Sequence, residues 1–160
     1  MDEKKITNIE ELLKTQPEAV TRTSGGSMRP LFRQHRDLVV IERVNRPLRK
    51  NDVPLYHKKG YQQLVLHRII KVTDNGYVIR GDNLLDKETD ITDADIVGVL
   101  KAFWRKGKYV ECSNSLWYDM YVRFVYLRFP FLWVWRKAIF PILHKVYRTL
   151  FKRNQQEEKQ

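Results

Sequence analysis

The chain has 160 residues, enough for one hydrophobic core with an appendage and too few for two full domains. Its 30 Lys and Arg outweigh 19 Asp and Glu, and the formal net charge of +11 favours anionic partners. The single cysteine, Cys112, excludes an intramolecular disulfide, and no Cys/His grouping has metal-ligand spacing, so neither a metal nor a cofactor is expected.

Residues 1–23 are polar and charged, without the apolar run of an anchor or a signal peptide. Within them, Thr7-Asn8-Ile9-Glu10 has capping-box spacing and leads through Leu12 and Leu13, which predicts a short helix over one end of the core. Asp37 to Val44 is rich in β-branched residues and reads as a strand. After a turn over residues 45–52, Val53 to Tyr56 reads as a shorter strand whose Pro54 suits a sheet edge. Leu64 to Val72 reads as one strand, paired with Tyr77 to Arg80 across Asp74-Asn75-Gly76. Ile96 to Trp104 and Tyr109 to Cys112 form a second hairpin around Arg105-Lys106-Gly107-Lys108. The fold class is therefore mainly β, with strands dominating residues 27–112.

Composition changes after Ser113. The stretch 116–153 holds twelve aromatic residues, and eight Lys or Arg stand there against Asp119 alone. Pro130 and Pro141 divide it, which predicts two or three short helices. Its longest uncharged run, Phe129 to Trp135, is far below the roughly 20 residues that cross a bilayer. Trp and Tyr favour the headgroup region and Lys and Arg attract anionic lipid, so the favoured reading is an interfacial helix making peripheral contact with an anionic membrane. The alternative packs the aromatics on the β core or on a second copy. No helix-turn-helix, zinc-finger or RNA-binding signature accompanies the charge, so nucleic acid is not an expected partner. The domains read as 1–112, a β-rich unit with its N-terminal helix, and 113–160, a basic aromatic helical appendage.

Three short segments carry the chemistry: Ser24-Gly25-Gly26-Ser27-Met28-Arg29-Pro30, Leu66-His67-Arg68-Ile69, and Gly81-Asp82-Asn83. A serine hydroxyl is a poor nucleophile at neutral pH and needs a base within hydrogen-bond reach and donors aimed at the oxyanion. Ser27, His67 and Asp82 are the right residue types, and their separation means that they meet only through tertiary folding. A histidine titrates near ~6.5, so His67 serves as a base without the loss of about 3 units that a lysine requires. Lys71 is the competing base, at an even offset from His67. Asp82 either orients His67 or belongs to an ordinary Gly-Asp-Asn turn, and Asp86 is the fallback orienting acid. Met28 and Pro30 are structural, and Cys112 reads as a small buried hydrophobe rather than a nucleophile.

These residues resemble the signal peptidase and LexA-type repressor peptidases over roughly residues 20–100. The nucleophile of signal peptidases lies in a Ser-Met-x-Pro motif, here Ser27-Met28-Arg29-Pro30. Their base opens a basic dipeptide, and His67-Arg68 is similar to the His-Arg form of the endoplasmic-reticulum type, which also carries a Gly-Asp-Asn box like Gly81-Asp82-Asn83. The resemblance implies a β-rich catalytic fold, an orienting role for Asp82 and an oxyanion donor in the Ser27 backbone N–H. Signal peptidases place a serine two residues before the nucleophile, where this chain has Gly25, as repressor-type relatives often do. Ser24 stands one residue too early.

The leading expectation is a serine endopeptidase of the signal-peptidase type, cutting a leader or signal-like segment by a Ser-His-Asp mechanism. It is expected at the cytoplasmic face of a membrane, held peripherally, or else in the cytoplasm. Two other classes remain open at this point: a non-catalytic peptide- or membrane-binding module on the same fold, and a self-cleaving regulator.

Overall fold

β-branched runs separated by Gly, Asn and Asp turns organise this chain into antiparallel sheet, and the computed structural model describes residues 3–60, 63–145 and 147–148, the side chains of residues 3–8 excepted. The fold is mainly β, with a short N-terminal helix and a C-terminal helix. In order come α1 (Glu3–Thr15), β1 (Glu18–Arg22), β2 (Leu38–Glu42), β3 (Pro54–His57), β4 (Leu64–Leu66), β5 (Arg68–Thr73), β6 (Gly76–Arg80), β7 (Glu88–Ile91), β8 (Ile96–Arg105), β9 (Lys108–Glu111) and α2 (Leu116–Val134).

The larger sheet runs β1-β2-β8-β3-β4. Its organiser is the long β8, which pairs β2 along one edge and shares the other between β3 at Ile96–Val99 and β9 at Ala102–Arg105. Register shifts at Val40/Ile41 and Leu55/Tyr56 add the twist that curls this sheet. A second sheet, β5-β6-β7, contains the expected hairpin, with Thr73 opposite Gly76. Leu48, Tyr56, Ile69, Tyr77, Ile79, Ile91 and Val99 form the buried cluster between the two sheets.

Helix α1 packs on β1 and β8 through Ile9 and Leu13, one turn apart. Arg43 closes its C-terminus, donating to the carbonyls of Leu13 at 2.9 Å, Lys14 at 3.0 Å and Gln16 at 3.2 Å, where the helix dipole favours a cation.

Three expectations change. The apolar stretch around His67 is not one strand: β4 belongs to the first sheet, β5 to the second, and His67 is the residue at which the chain crosses. The strand containing Pro54 lies between β8 and β4 rather than at an edge, and the proline is accommodated because it opens the strand. Nor does either proline break the C-terminal helix, which continues from Leu116 to residue 145. Pro130 lies inside α2, and a wider π turn at Trp135–Ile139 directly precedes Pro141. That wider turn relieves the clash a proline ring makes with the carbonyl four residues earlier.

Two compact units result, residues 1–122 and 123–160. The division lies beyond the composition change at Ser113 because the first turns of α2 belong to the β unit. Ser115 caps the helix at the Tyr118 N–H, and Trp117, Tyr118 and Tyr121 gather with Phe103 into an aromatic group. In the second unit Leu127, Phe131, Trp133, Phe140 and Ile142 are among many large apolar side chains left exposed. Among the described residues no helix is long and apolar enough to cross a membrane.

Packing on both sides of β8 leaves no room at Gly98, where a Cβ would come to 2.6 Å from Ile41 Cγ2 and 2.8 Å from the Glu42 carbonyl. Gly98→Ala is expected to destabilise the protein by about 1–3 kcal/mol, read as a lower urea midpoint at unchanged slope.

Candidate active site

Ser27, His67 and Asp82 are drawn together by the turn that follows β6. A Cβ on Gly81 would lie 2.8 Å from the Ser27 carbonyl oxygen and 3.1 Å from His67 Cδ2, so both groups crowd the same point, and only glycine fits beneath them. Asn83 holds the nucleophile loop from the other side. Its backbone N–H donates to the Ser27 carbonyl at 2.8 Å and its side-chain amide to the Gly26 carbonyl at 3.2 Å. Met28, expected as structural, is buried beneath this loop, and the Arg29–Pro30 peptide is cis.

Asp82 does not orient the histidine. Its carboxylate accepts from Arg68 Nε at 2.8 Å and Nη2 at 2.7 Å, and from the Tyr121 hydroxyl at 2.9 Å. Arg68 also donates to the Tyr118 hydroxyl at 2.9 Å and the Asn51 carbonyl at 3.0 Å, with the rings of Tyr118 and Tyr121 against its guanidinium. Both partners of the ion pair are about 1 % exposed. The Asp82 oxygens are held by Arg68 and Tyr121, and the hydrogen bonds of His67 Nδ1 go to other groups.

The carboxylate at the His67 ring is that of Glu88, on β7. His67 Nδ1 lies 3.1 Å from Glu88 Oε1 and 3.1 Å from the Tyr56 hydroxyl, and Lys58 Nζ lies 3.3 Å from the same Glu88 oxygen. A carboxylate offers only lone pairs, so the proton of the neutral ring sits on Nδ1 and Nε2 carries the basic lone pair. Nε2 has no hydrogen-bond partner, so Ser27 Oγ is not bonded to it. Burial lowers the His67 pKa from its ordinary value, and the charge of Glu88 pulls it back up. The residue is 2 % exposed, and the net lowering favours the neutral ring.

His67 and Ser27 line the same cleft, of about 740 Å3. Its floor is apolar, with Met28, Phe32, Leu55 and Leu84, and its walls come from the two outer strands of the curled sheet, Thr21 and Arg22 of β1 and Leu64 to Leu66 of β4. Lys58 and His35 also line it. Gly25 sits in the wall with φ of 79°, a left-handed conformation that a serine adopts only under strain.

The remaining candidates fall away from the cleft. Lys71 is exposed on β5 and does not line it. Asp86 is exposed, and the hydrogen bonds of His67 go to Glu88 and Tyr56 instead. Cys112, just past β9, is half-buried, and desolvation pushes its thiol up to about 12, which leaves no thiolate at neutral pH. Among the described residues no group of three or more His, Cys, Asp or Glu is placed to hold a metal ion. Glu88 escaped the sequence reading because Glu88-Thr89-Asp90-Ile91 carries no motif. The usable signal was pairing: once β7 is laid against β6, Glu88 stands opposite Ile79 and reaches the His67 junction.

Comparison of the chain with models of known families, with curated proteins and with solved structures returned no match.

Two measurements check this geometry. Asp82→Asn leaves the Arg68 charge buried without its counter-ion, and a loss of about 3–5 kcal/mol in denaturant unfolding is expected. Glu88→Gln removes the charge that raises the His67 pKa, so an NMR titration is expected to place the His67 midpoint still lower than in the wild type. In the wild type that lowered pKa makes stability complete above ~6.5 and progressively lost as the pH falls below it, since the unfolded chain takes up the proton first.

Proposed function

We propose that the protein is a serine endopeptidase of the signal-peptidase type that cuts a leader or signal-like peptide, with Ser27 as nucleophile, His67 as general base and Glu88 as orienting acid. The observation that carries this reading is the polarised histidine. Its Nδ1 is fixed on Glu88, and its Nε2 is unbonded in the cleft that Ser27 shares.

In the reaction Ser27 Oγ attacks the scissile carbonyl carbon and passes its proton to His67 Nε2. The carbonyl electron pair moves onto oxygen, where the Ser27 backbone N–H donates to it. Glu88 stabilises the imidazolium. Collapse of the tetrahedral intermediate expels the amine with the proton from Nε2 and leaves an acyl-serine, which a water molecule hydrolyses by the same proton route. An extended peptide suits the cleft, because β1 and β4, the two end strands of the larger sheet, both line it. The apolar floor suits the hydrophobic residues of a leader.

The protein works peripherally at an anionic membrane surface. The support is in residues 123–148, where exposed Phe, Trp, Leu and Ile are interspersed with Arg and Lys.

The test compares wild type with Ser27→Ala on a diverse peptide library with anionic liposomes, reading new termini by mass spectrometry. New termini with the wild type alone are expected. Binding of peptides without cleavage by either protein would instead make the chain a peptide-binding module, and a change in the chain's own mass would make it self-cleaving. For a cleaved peptide, kcat/KM is expected to fall on acidification with an apparent pKa below ~6.5, because the free base is His67 with its pKa lowered by burial.

A further inference from the structure

Two polar atoms in the wall of the cleft are buried and lack any hydrogen-bond partner: His67 Nε2 and Thr23 Oγ1. The first is accounted for by the proposed chemistry and the second is not. Leaving a buried hydroxyl unbonded costs about 1–3 kcal/mol, and such groups concentrate where a ligand completes them.

The two orphans have opposite character. Nε2, with the ring proton held on Nδ1, is an acceptor, whereas a threonine hydroxyl has a proton to donate. A serine attacking a peptide carbonyl in this cleft generates both complementary needs at once, a proton to be accepted and a negative oxygen to be stabilised. The proposed chemistry assigns that oxygen one donor, the Ser27 N–H, and Gly25, two residues before Ser27, has no side chain to add another. Thr23, Gly25 and Ser27 all line the cleft, and nothing lies within 4 Å of where a Gly25 Cβ would stand. Thr23 itself is anchored where β1 ends, its carbonyl accepting from the His35 N–H at 3.3 Å, which fixes the backbone while leaving the hydroxyl to turn about χ1.

We propose that the Thr23 hydroxyl is the side-chain donor to the oxyanion formed when Ser27 attacks a peptide carbonyl. The assignment rests on the peptidase reading above. No bond to Thr23 forms or breaks: it contributes a hydrogen bond that shortens as the carbonyl oxygen gains charge, and it returns unchanged when the intermediate collapses.

The test uses the full chain with a quenched-fluorescent peptide carrying an apolar run ahead of small residues at the scissile bond. Thr23→Val keeps the shape and removes the hydroxyl, and Thr23→Ser keeps the hydroxyl. The expected result for Thr23→Val is a fall in kcat of about 10²-fold with KM within twofold, and for Thr23→Ser recovery of most of the rate. Thermal unfolding supplies the second readout. Removing a hydroxyl that has no partner is expected to leave Tm equal or raised, so activity and stability move apart. Unchanged kcat in Thr23→Val, a loss confined to KM, or a fall in Tm together with kcat would each overturn the assignment. In the first of these, Ser27-dependent cleavage by the wild type would leave the peptidase reading standing. Cleavage that survives Ser27→Ala would remove both.

Discussion

The buried ion pair between Arg68 and Asp82 is the interaction on which the rest of this fold depends. Arg68 opens β5, Asp82 lies in the turn after β6, Tyr118 and Tyr121 come from α2, and the Asn51 carbonyl comes from the loop before β3. Four segments distant in sequence therefore converge on one guanidinium. A pair taken this far out of water stabilises little net of its desolvation, and its contribution lies in specificity: any rearrangement of these segments strands a charge. The planar fork of arginine suits this place because it satisfies two carboxylate oxygens, a hydroxyl and a carbonyl at once.

That constraint positions the candidate site without taking part in it. Asp82 is bracketed by Gly81, which admits the Ser27 carbonyl and the His67 ring, and Asn83, which binds the Ser27 and Gly26 carbonyls. Fixing Asp82 on Arg68 thus fixes the platform beneath the Ser27 loop. On the other side of Arg68 the chain has just crossed from the first sheet to the second, and His67 is the crossing residue. A residue inside a strand faces one surface of its sheet, whereas a residue at a junction can be addressed from both. His67 uses this freedom to turn Nδ1 to Tyr56 of the first sheet and Glu88 of the second.

How much of this was legible in the sequence follows from the range of each signal. The β-rich body, the β5–β6 hairpin and the helix after Ser113 rest on local periodicity and turn chemistry, and local rules find them. Ser27 and His67 carry motif context, and both line one cleft. Asp82 was misjudged because an Asp after a glycine at a strand end satisfies both an orienting role and an ion pair, and the choice depends on Arg68, whose burial no local pattern announces. Pro54 and Pro141 misled for a related reason. Each rule about proline assumes a regular element, and the chain places them at the start of a strand and beside a π turn, where the missing N–H costs little. Glu88 was out of reach because its role exists only through the pairing of β7 with β6.

On the peptidase reading proposed above, the arrangement around His67 accounts for how a histidine would serve with a carboxylate that is not an aspartate. Burial alone would depress its basicity and weaken the proton transfer; a fully compensating carboxylate would hold a proton on the ring at neutral pH and leave no base. Glu88 is 17 % exposed and shared with Lys58 and Tyr56, so its charge acts on the ring only in part. The lowering by burial therefore prevails over the raising by Glu88, and the resting histidine is neutral. When a proton arrives at Nε2, the same carboxylate is already in contact with Nδ1, so stabilisation grows at the moment charge develops and needs no movement of solvent. A lysine in this pocket would start about 4 units higher and would require a drier and more cationic surround to reach the same state. The shared glutamate and the junction histidine together achieve that state with ordinary burial.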